Sequence, residues 1–299
     1  MNIAIAGGTG FVGEHLTKAL TSRGDAVYIL TRSPEKYLNT ALVKYVGWLS
    51  DQSQPEKELP KLDGIINLAG DSLFGYWTKS KKDRIYQSRI NATYAIDKLI
   101  DNLEAKPEVL INASAVGYFG TSDEKTFTEQ SEEQGNDFLA EVTDAWEKTA
   151  LQIKSHNVRT VLARFGVILG KEGALPLMAL PFRFLVGGKI GSGYQWVSWI
   201  HIEDVVGMLL FALDNPNVEN AFHLTAPNPV RNKELSASLA DVLNRPNWFP
   251  TPSFLLKTGL GEMSILIVDG QKVLPEKALE FGYQFNYPTI DEALKEIYN

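Results

Sequence analysis

Seven residues near the N-terminus, Gly7-Gly8-Thr9-Gly10-Phe11-Val12-Gly13, constrain this chain more than any other stretch. They follow an apolar run, Asn2–Ala6, that reads as a strand. They open a segment, Phe11–Arg23, in which Phe11, Val12, Leu16, Ala19 and Leu20 recur at helical spacing. The motif fits Gly-x-Gly-x-x-Gly through Gly8, Gly10 and Gly13, and Gly-x-x-Gly-x-x-Gly through Gly7, Gly10 and Gly13. Between a strand and a helix, such glycines allow a tight turn, let the backbone approach a pyrophosphate, and let the helix pack close to the strand. The helix start adds unpaired N–H groups and the positive end of a dipole, which suits phosphate. Alone the motif is weak; the strand–turn–helix context gives it meaning.

The rest of the first 165 residues repeats that rhythm. Ala26–Leu30, Val43–Val46, Gly64–Leu68, Val109–Ala113 and Val158–Ala163 read as strands, and Thr78–Leu103 and Phe138–Lys154 as helices. Asp51–Pro60 is polar and reads as a loop. Strands alternating with helices imply a parallel sheet covered on both faces. After residue 165 the rhythm breaks. Gly166–Gly193 is rich in glycine and proline, and Trp196–Leu213 reads as strand into helix. Ala221–Leu224 is a further strand. Asn232–Leu243, Ser253–Val268, Pro275–Phe281 and Thr289–Ile297 read as short helices. The expected organisation is a dinucleotide-binding unit of residues 1–165 plus 196–226, with a smaller substrate-side lobe of residues 166–195 plus 227–299. A ligand belongs between them, outside the carboxyl ends of the strands.

Composition excludes several alternatives. The 299 residues contain no cysteine, which removes disulfides, thiolate zinc sites and cysteine nucleophiles. Four histidines, His15, His156, His201 and His223, are scattered without metal-ligand spacing, so no metal is expected. The net charge of −7 makes the chain as a whole a poor non-specific partner for nucleic acid or an anionic membrane. No run of 18 uncharged apolar residues occurs, and Met1–Gly13 reads as a buried strand and turn, not a signal peptide. The expected location is cytoplasmic and the expected partner a small-molecule substrate; a homodimer stays open.

The residue that reads the cofactor ribose comes next. NAD enzymes place an acid about 20 residues after the glycines. This chain places Arg32 there, between Thr31 and Ser33, so NADP is expected in preference to NAD, with the guanidinium on the 2′-phosphate.

Three further segments carry a resemblance. Asn67-Leu68-Ala69-Gly70, Asn112-Ala113-Ser114-Ala115-Val116-Gly117-Tyr118 and Trp199-Ile200-His201-Ile202-Glu203-Asp204-Val205 resemble the extended branch of the short-chain dehydrogenase/reductase family. Gly75-Tyr76-Trp77-Thr78, Phe138-Leu139-Ala140-Glu141-Val142 and Val273-Leu274-Pro275-Glu276-Lys277 are similar to an atypical subgroup labelled "epimerase family protein", which ends in a small domain of unknown function. The resemblance implies an α/β Rossmann fold, a doubly wound parallel sheet with a smaller, mainly helical C-terminal lobe. It implies cofactor contacts at Leu68, Ala69 and Gly70, and an active-site serine at Ser114.

One departure bears on chemistry. The family's Tyr-x-x-x-Lys, which moves the proton and holds the nicotinamide ribose, is matched here by Phe138 and Val142. The expected catalytic pair is therefore Ser114 with Tyr118, a phenol that needs a cationic neighbour to act near neutrality. Substrate-side candidates are Lys79 and Arg89 for a phosphate-bearing ligand, Tyr194 and Trp199 for a pocket wall, and His201. Asp204 reads as a helix cap. Two functions follow: an NADP(H)-dependent oxidoreductase or epimerase-like enzyme with a rewired proton donor, or a non-catalytic NADP(H)-binding sensor or partner-binding module. The first requires ordered polar groups around the nicotinamide, the second an apolar wall.

Overall fold

The computed structural model describes residues 1–50 and 52–299. A seven-stranded sheet forms its centre. The strands are β1 (Asn2–Ala6), β2 (Ala26–Thr31), β3 (Val43–Gly47), β4 (Gly64–Asn67), β5 (Val109–Ala115), β7 (Arg159–Phe165) and β11 (Asn220–Leu224), in spatial order β11-β7-β5-β4-β1-β2-β3. Every pairing is parallel. The central strands are nearly unbroken apolar runs because helices cover both faces. Ile3, Ile5, Ile66, Ile111 and Val161 face α1 (Phe11–Ser22) and α5 (Ile202–Asp214) in one core. Ala4, Ala6, Ile65 and Leu110 face α2 (Lys79–Asn102) in the other. The third long helix, α3 (Phe138–Leu151), packs against α2 and β5.

Three small pairs sit outside the sheet. They join β6 (Thr126–Phe127) with β13 (Lys272–Val273), β8 (Val167–Leu169) with β10 (Trp199–His201), and β9 (Trp196–Val197) with β12 (Val230–Arg231). The second lobe has its own core. Leu175, Ala179 and Phe182 of α4 (Leu175–Arg183) meet Leu235 and Leu239 of α6 (Asn232–Val242) and Ile290, Leu294 and Ile297 of α10 (Ile290–Tyr298). Val197, Trp199 and Ala226, expected in the dinucleotide unit, also pack in this second core. The stretch Ser253–Val268 is not one helix. It divides into α7 (Ser253–Leu260), a 3-10 turn at Gly261–Ser264 and α8 (Ile265–Val268), with α9 (Glu276–Glu280) following. The break falls at Gly261, whose φ of +59° suits glycine. Of the expected loop Asp51–Pro60, Asp51 lies outside the described residues; the remainder contains a 3-10 turn at Pro55–Lys57.

Two buried carboxylates fasten the C-terminal segment to the sheet domain. Asp204 does not cap α5. The cap is His201, whose Nδ1 accepts from the Glu203 N–H at 3.3 Å. Asp204 is fully buried and accepts from the N–H groups of Asn286 and Tyr287 at 2.8 and 2.9 Å and from the Tyr283 hydroxyl at 3.2 Å. Glu129 likewise accepts from the N–H groups of His223 on β11 and Glu276 on α9, at 3.0 and 3.1 Å. Beside it, His223 is wholly buried with Nδ1 3.0 Å from the Leu274 carbonyl. Burial pushes its imidazole down to about 3.

A folded-state value so far below the unfolded 6.5 means the unfolded chain binds the extra proton. The contribution of His223 is therefore present above about pH 6.5 and lost as pH falls toward 3, with a slope of up to about 1.4 kcal/mol per pH unit. His201, also pushed down by burial, acts in the same sense; Glu129, pushed up by burial, acts in the opposite sense. Urea midpoints should fall from pH 7 to pH 5, and His223→Gln should flatten that slope whatever its baseline stability. An unchanged slope in the variant would contradict the buried neutral imidazole.

Candidate dinucleotide site

Strand β1 lies between β2 and β4, so the chain leaves it toward opposite edges of the sheet. That reversal opens a crevice at the carboxyl ends of β1 and β4, the usual ligand position in such sheets. Two turns line it. Gly7 has φ +78°, and a Cβ there would stand 2.8 Å from the backbone of Leu68, so the glycine turn and the turn after β4 touch backbone to backbone. Gly13 packs α1 onto the same turn; its Cβ would lie 2.4 Å from the Gly7 carbonyl oxygen. Gly10 differs. A Cβ there meets only the Gly7 oxygen, at 3.4 Å, and no side chain caps α1. The first-turn N–H groups of α1 thus remain unpaired beside open space. Thr9 is exposed; Phe11 and Val12 are half-buried, and Phe11 also wedges against Gly170 and Gly173 of the second lobe.

The β4 turn is held from beneath. Asn67, fully buried, donates to Thr93 Oγ1 at 3.1 Å and Asn112 Oδ1 at 2.7 Å, and accepts from the Ala69 N–H at 3.2 Å. Asp71 is gripped from α2: its N–H donates to Ser88 at 2.9 Å, its carbonyl accepts from Arg89 at 3.2 Å, and its carboxylate pairs with Lys81 at 3.1 Å. Arg89 lies under Gly70 and over the Trp146 ring, where burial lowers its guanidinium to about 10. At the end of β2, Arg32 is exposed and Ser33 is half-buried, its N–H directed at Thr31 Oγ1 at 3.4 Å. The expected cofactor set, Gly7 to Gly13, Thr31 to Ser33 and Leu68 to Gly70, thus belongs to turns that end β1, β2 and β4. The open Gly10 side, the uncapped helix and the exposed arginine fit a dinucleotide phosphate backbone.

The expected catalytic pair fares differently. Ser114 is 2% exposed and donates to Glu147 Oε1 at 2.5 Å. Glu147 in turn receives both prongs of Arg164, each at 2.7 Å, all three side chains being buried. The Arg164 guanidinium lies 3.8 Å from the Tyr118 ring centre. The cationic neighbour that Tyr118 needs is therefore present, but stacked on its face and already paired with Glu147. Ser114 lies at the third turn of α3, while Gly117 lies against Leu139 and Thr143 of its first turns. Ser114 is thus held inward under α3 by Glu147, while the half-buried Tyr118 lies against Arg164.

The start of α3 is apolar. Phe138 and Val142 cluster with Trp77, Ile85, Leu139, Met263 and Leu266. Beside them opens a cleft of about 670 Å³ lined by Trp77, Lys79, Lys82, Tyr86, Asp137, Phe138, Glu141 and Glu262, among others. Lys79 is at this cleft, and Lys82 Nζ stands 4.7 Å from the Phe138 ring centre. Tyr94 and Lys98, the chain's one Tyr-x-x-x-Lys, are exposed on α2 with the ammonium 4.7 Å above the ring centre. Packing buries two of the substrate-side candidates and leaves the third at the surface. Trp199 is sealed in the second core, with its indole N–H on the Asn228 carbonyl at 3.1 Å. His201 is buried, with Nε2 2.9 Å from Glu296 of α10 and its ring on Tyr287. Tyr194 is exposed, with the Lys233 ammonium 4.6 Å from its ring centre.

The fold and these turns define a nucleotide-binding protein of the doubly wound, Rossmann type. The pattern for the NAD dependent epimerase/dehydratase family matches residues 3–224, and that for the Domain of unknown function (DUF1731) matches residues 251–297. The chain therefore belongs to the NAD(P)-binding epimerase/dehydratase family. It is 50% identical over 297 residues to the epimerase family protein YfhF of Bacillus subtilis, covering 99% of this chain and 98% of that protein. It is 41% identical to a chloroplastic SDR39U1 homologue of Arabidopsis thaliana, covering 99% and 86%. Among solved structures, human epimerase family protein SDR39U1 with NADPH superposes with a TM-score of 0.88 at 31% identity, covering 100% and 99%. UDP-glucuronic acid 4-epimerase of Bacillus cereus shares the fold, with a TM-score of 0.79 at 14% identity.

Gly10→Val tests the site directly. Its Cβ has room in the protein, so thermal unfolding should change little, while the valine methyls should block the phosphate side and remove NADPH binding. Gly13→Val should instead destabilise the protein, since its Cβ has no room. Normal NADPH affinity in Gly10→Val would refute the assignment.

Proposed function

We propose that this chain is an NADP(H)-dependent oxidoreductase whose proton donor comes from α2 and not from α3. Arg32 supports the cofactor preference: it ends β2 where an acid would otherwise read a 2′-hydroxyl, and it is exposed. The related human protein was crystallised with NADPH. Bound at the glycine turn, the reduced cofactor supplies a hydride. Arg89, half-buried under Gly70, places a cation beside the cofactor turn, in a chain where Val142 replaces the usual lysine.

The observation that carries the choice of donor is the cleft at the start of α3. Phe138 has no exchangeable proton and Ser114 is committed to Glu147. Tyr86 lines the same cleft as Phe138, one helical turn from Lys82, and brings a phenol and an ammonium together on one face of α2. Lys82 is paired with Glu262 at 2.6 Å, and Asp83, Asp137 and Glu141 line the same cleft, so the charge of the cleft favours a neutral carbonyl substrate over an anionic one. The competing reading, an NADP(H)-binding sensor without catalysis, draws support from the apolar cluster around Phe138 and Val142.

Two measurements separate these readings. Fluorescence titration of Arg32→Ala should show NADPH affinity reduced roughly tenfold to a hundredfold with NADH affinity unchanged, the effect of one charge-assisted hydrogen bond. Equal loss for both cofactors would sink the preference. In a screen of carbonyl compounds for NADPH oxidation, Tyr86→Phe should lower turnover by about 100-fold. Ser114→Ala should leave turnover nearly intact while lowering stability. Unchanged turnover in Tyr86→Phe removes the donor; no turnover with any carbonyl, alongside tight NADPH binding, selects the sensor.

A further inference from the structure

Two segments of this acidic chain have the opposite character. Residues 173–202 and 242–261 contain four cations, Arg183, Lys189, Arg245 and Lys257, and no aspartate or glutamate. They are neighbours in space. The Phe249 N–H donates to the Gly187 carbonyl at 3.1 Å, the Thr251 N–H to the Lys189 carbonyl at 2.9 Å, and the Trp248 indole to the Leu185 carbonyl at 3.0 Å. Ten of the nineteen large apolar or aromatic side chains that stay exposed lie on these two segments. Trp248 is 73% exposed, Phe184 70%, Phe254 66% and Phe249 60%. An exposed apolar group of this size marks an interaction surface.

We propose that the face formed by the end of α4, the loop after it and residues 245–257 docks on an anionic lipid surface. Charge complementarity selects this occupant. Among the described residues, the ion pairs of lysine and arginine lie elsewhere, so these four cations have no carboxylate within ion-pair distance. A second copy of the chain would set the same four cations against their like, with no carboxylate to offset them. Tryptophan and phenylalanine flanked by lysine and arginine match the layered chemistry of a membrane interface, apolar toward the acyl chains and cationic toward the headgroups. Lys189, with Lys233 of α6, also lines a recess of about 310 Å³ beside Trp248, of a size for a phosphate headgroup. Among the described residues no helix is long and apolar enough to cross a membrane, and the proposed contact is a docking of this face on the bilayer surface. The whole-chain charge of −7 conceals this face because the acidic residues lie outside these two segments.

The test is co-sedimentation of the full chain with vesicles of phosphatidylcholine alone and of phosphatidylcholine mixed with phosphatidylglycerol. The protein should pellet with the anionic vesicles and be released by high salt. Trp248 should be quenched by brominated lipid; Trp48, Trp77, Trp146 and Trp199, which are buried, should not. Lys189→Glu with Lys257→Glu should weaken partition on the order of tenfold or more, and Trp248→Ser with Phe249→Ser should weaken it too. All four positions lie outside the glycine turn, so NADPH titration reports an intact fold in each variant. Three results would overturn the proposal: no pelleting with anionic vesicles; equal pelleting with neutral and anionic vesicles; or binding confined to polyglutamate or to a second copy of the chain, which would assign the face to an acidic polypeptide or to self-association.

Discussion

The contact on which the architecture turns is the close approach of three backbone segments at the carboxyl edge of the sheet. Gly7 meets Leu68 and Gly13 meets Gly7, at separations that leave no room for a Cβ. Because nothing but backbone occupies that junction, α1 can start directly over the end of β1 and aim its unpaired N–H groups into the crevice. A side chain at either glycine would push α1 off the sheet or push the β4 turn away. Gly10 belongs to the same turn but faces open space, so packing within the protein does not itself demand a glycine there.

Around that junction the protein uses buried polar groups as fasteners. Asn67, Asn112, Thr93 and the Trp146 indole form one hydrogen-bonded set beneath the β4 turn. Ser114, Glu147 and Arg164 form a second, joining β5, α3 and β7. Asp204 and Glu129 form two more, joining the sheet domain to the C-terminal segment. Groups this deep are costly unless fully paired, so each set fixes one relative placement of the elements it joins. The start of α3, by contrast, is packed with apolar side chains, and the polar groups of the adjoining cleft come from α2, from Asp137 and Glu141 at the start of α3 itself, and from Glu262.

Much of this was legible in the sequence. The strand and helix rhythm located all seven strands of the central sheet, and the glycine spacing with its strand–turn–helix context located the tight turn between β1 and α1. Spacing was least informative where one residue type serves two purposes. Ser114 looked catalytic because a hydroxyl at a strand end can face a cleft or point inward, and linear spacing does not say which. Arg164 in the apolar run of β7 and Glu147 in an amphipathic helix were the available signal, since a charge in a buried run needs a partner. His201 took the capping role expected of Asp204 because both sit within three residues of the start of α5, and only one can reach the orphan N–H.

By itself the sequence determined the fold class, the parallel sheet and the position of the glycine turn between β1 and α1. These rest on local periodicity and on glycine conformations that few other residues can adopt. Tertiary structure alone decided which hydroxyl is spent on a buried carboxylate, that Trp199 belongs to the core of the second lobe, and that Tyr86 and Phe138 share a cleft. It also brought two acid-free segments, separated by 39 residues of sequence, into one exposed face. Those outcomes depend on which helix packs over which strand, a relation between distant segments that no local pattern encodes.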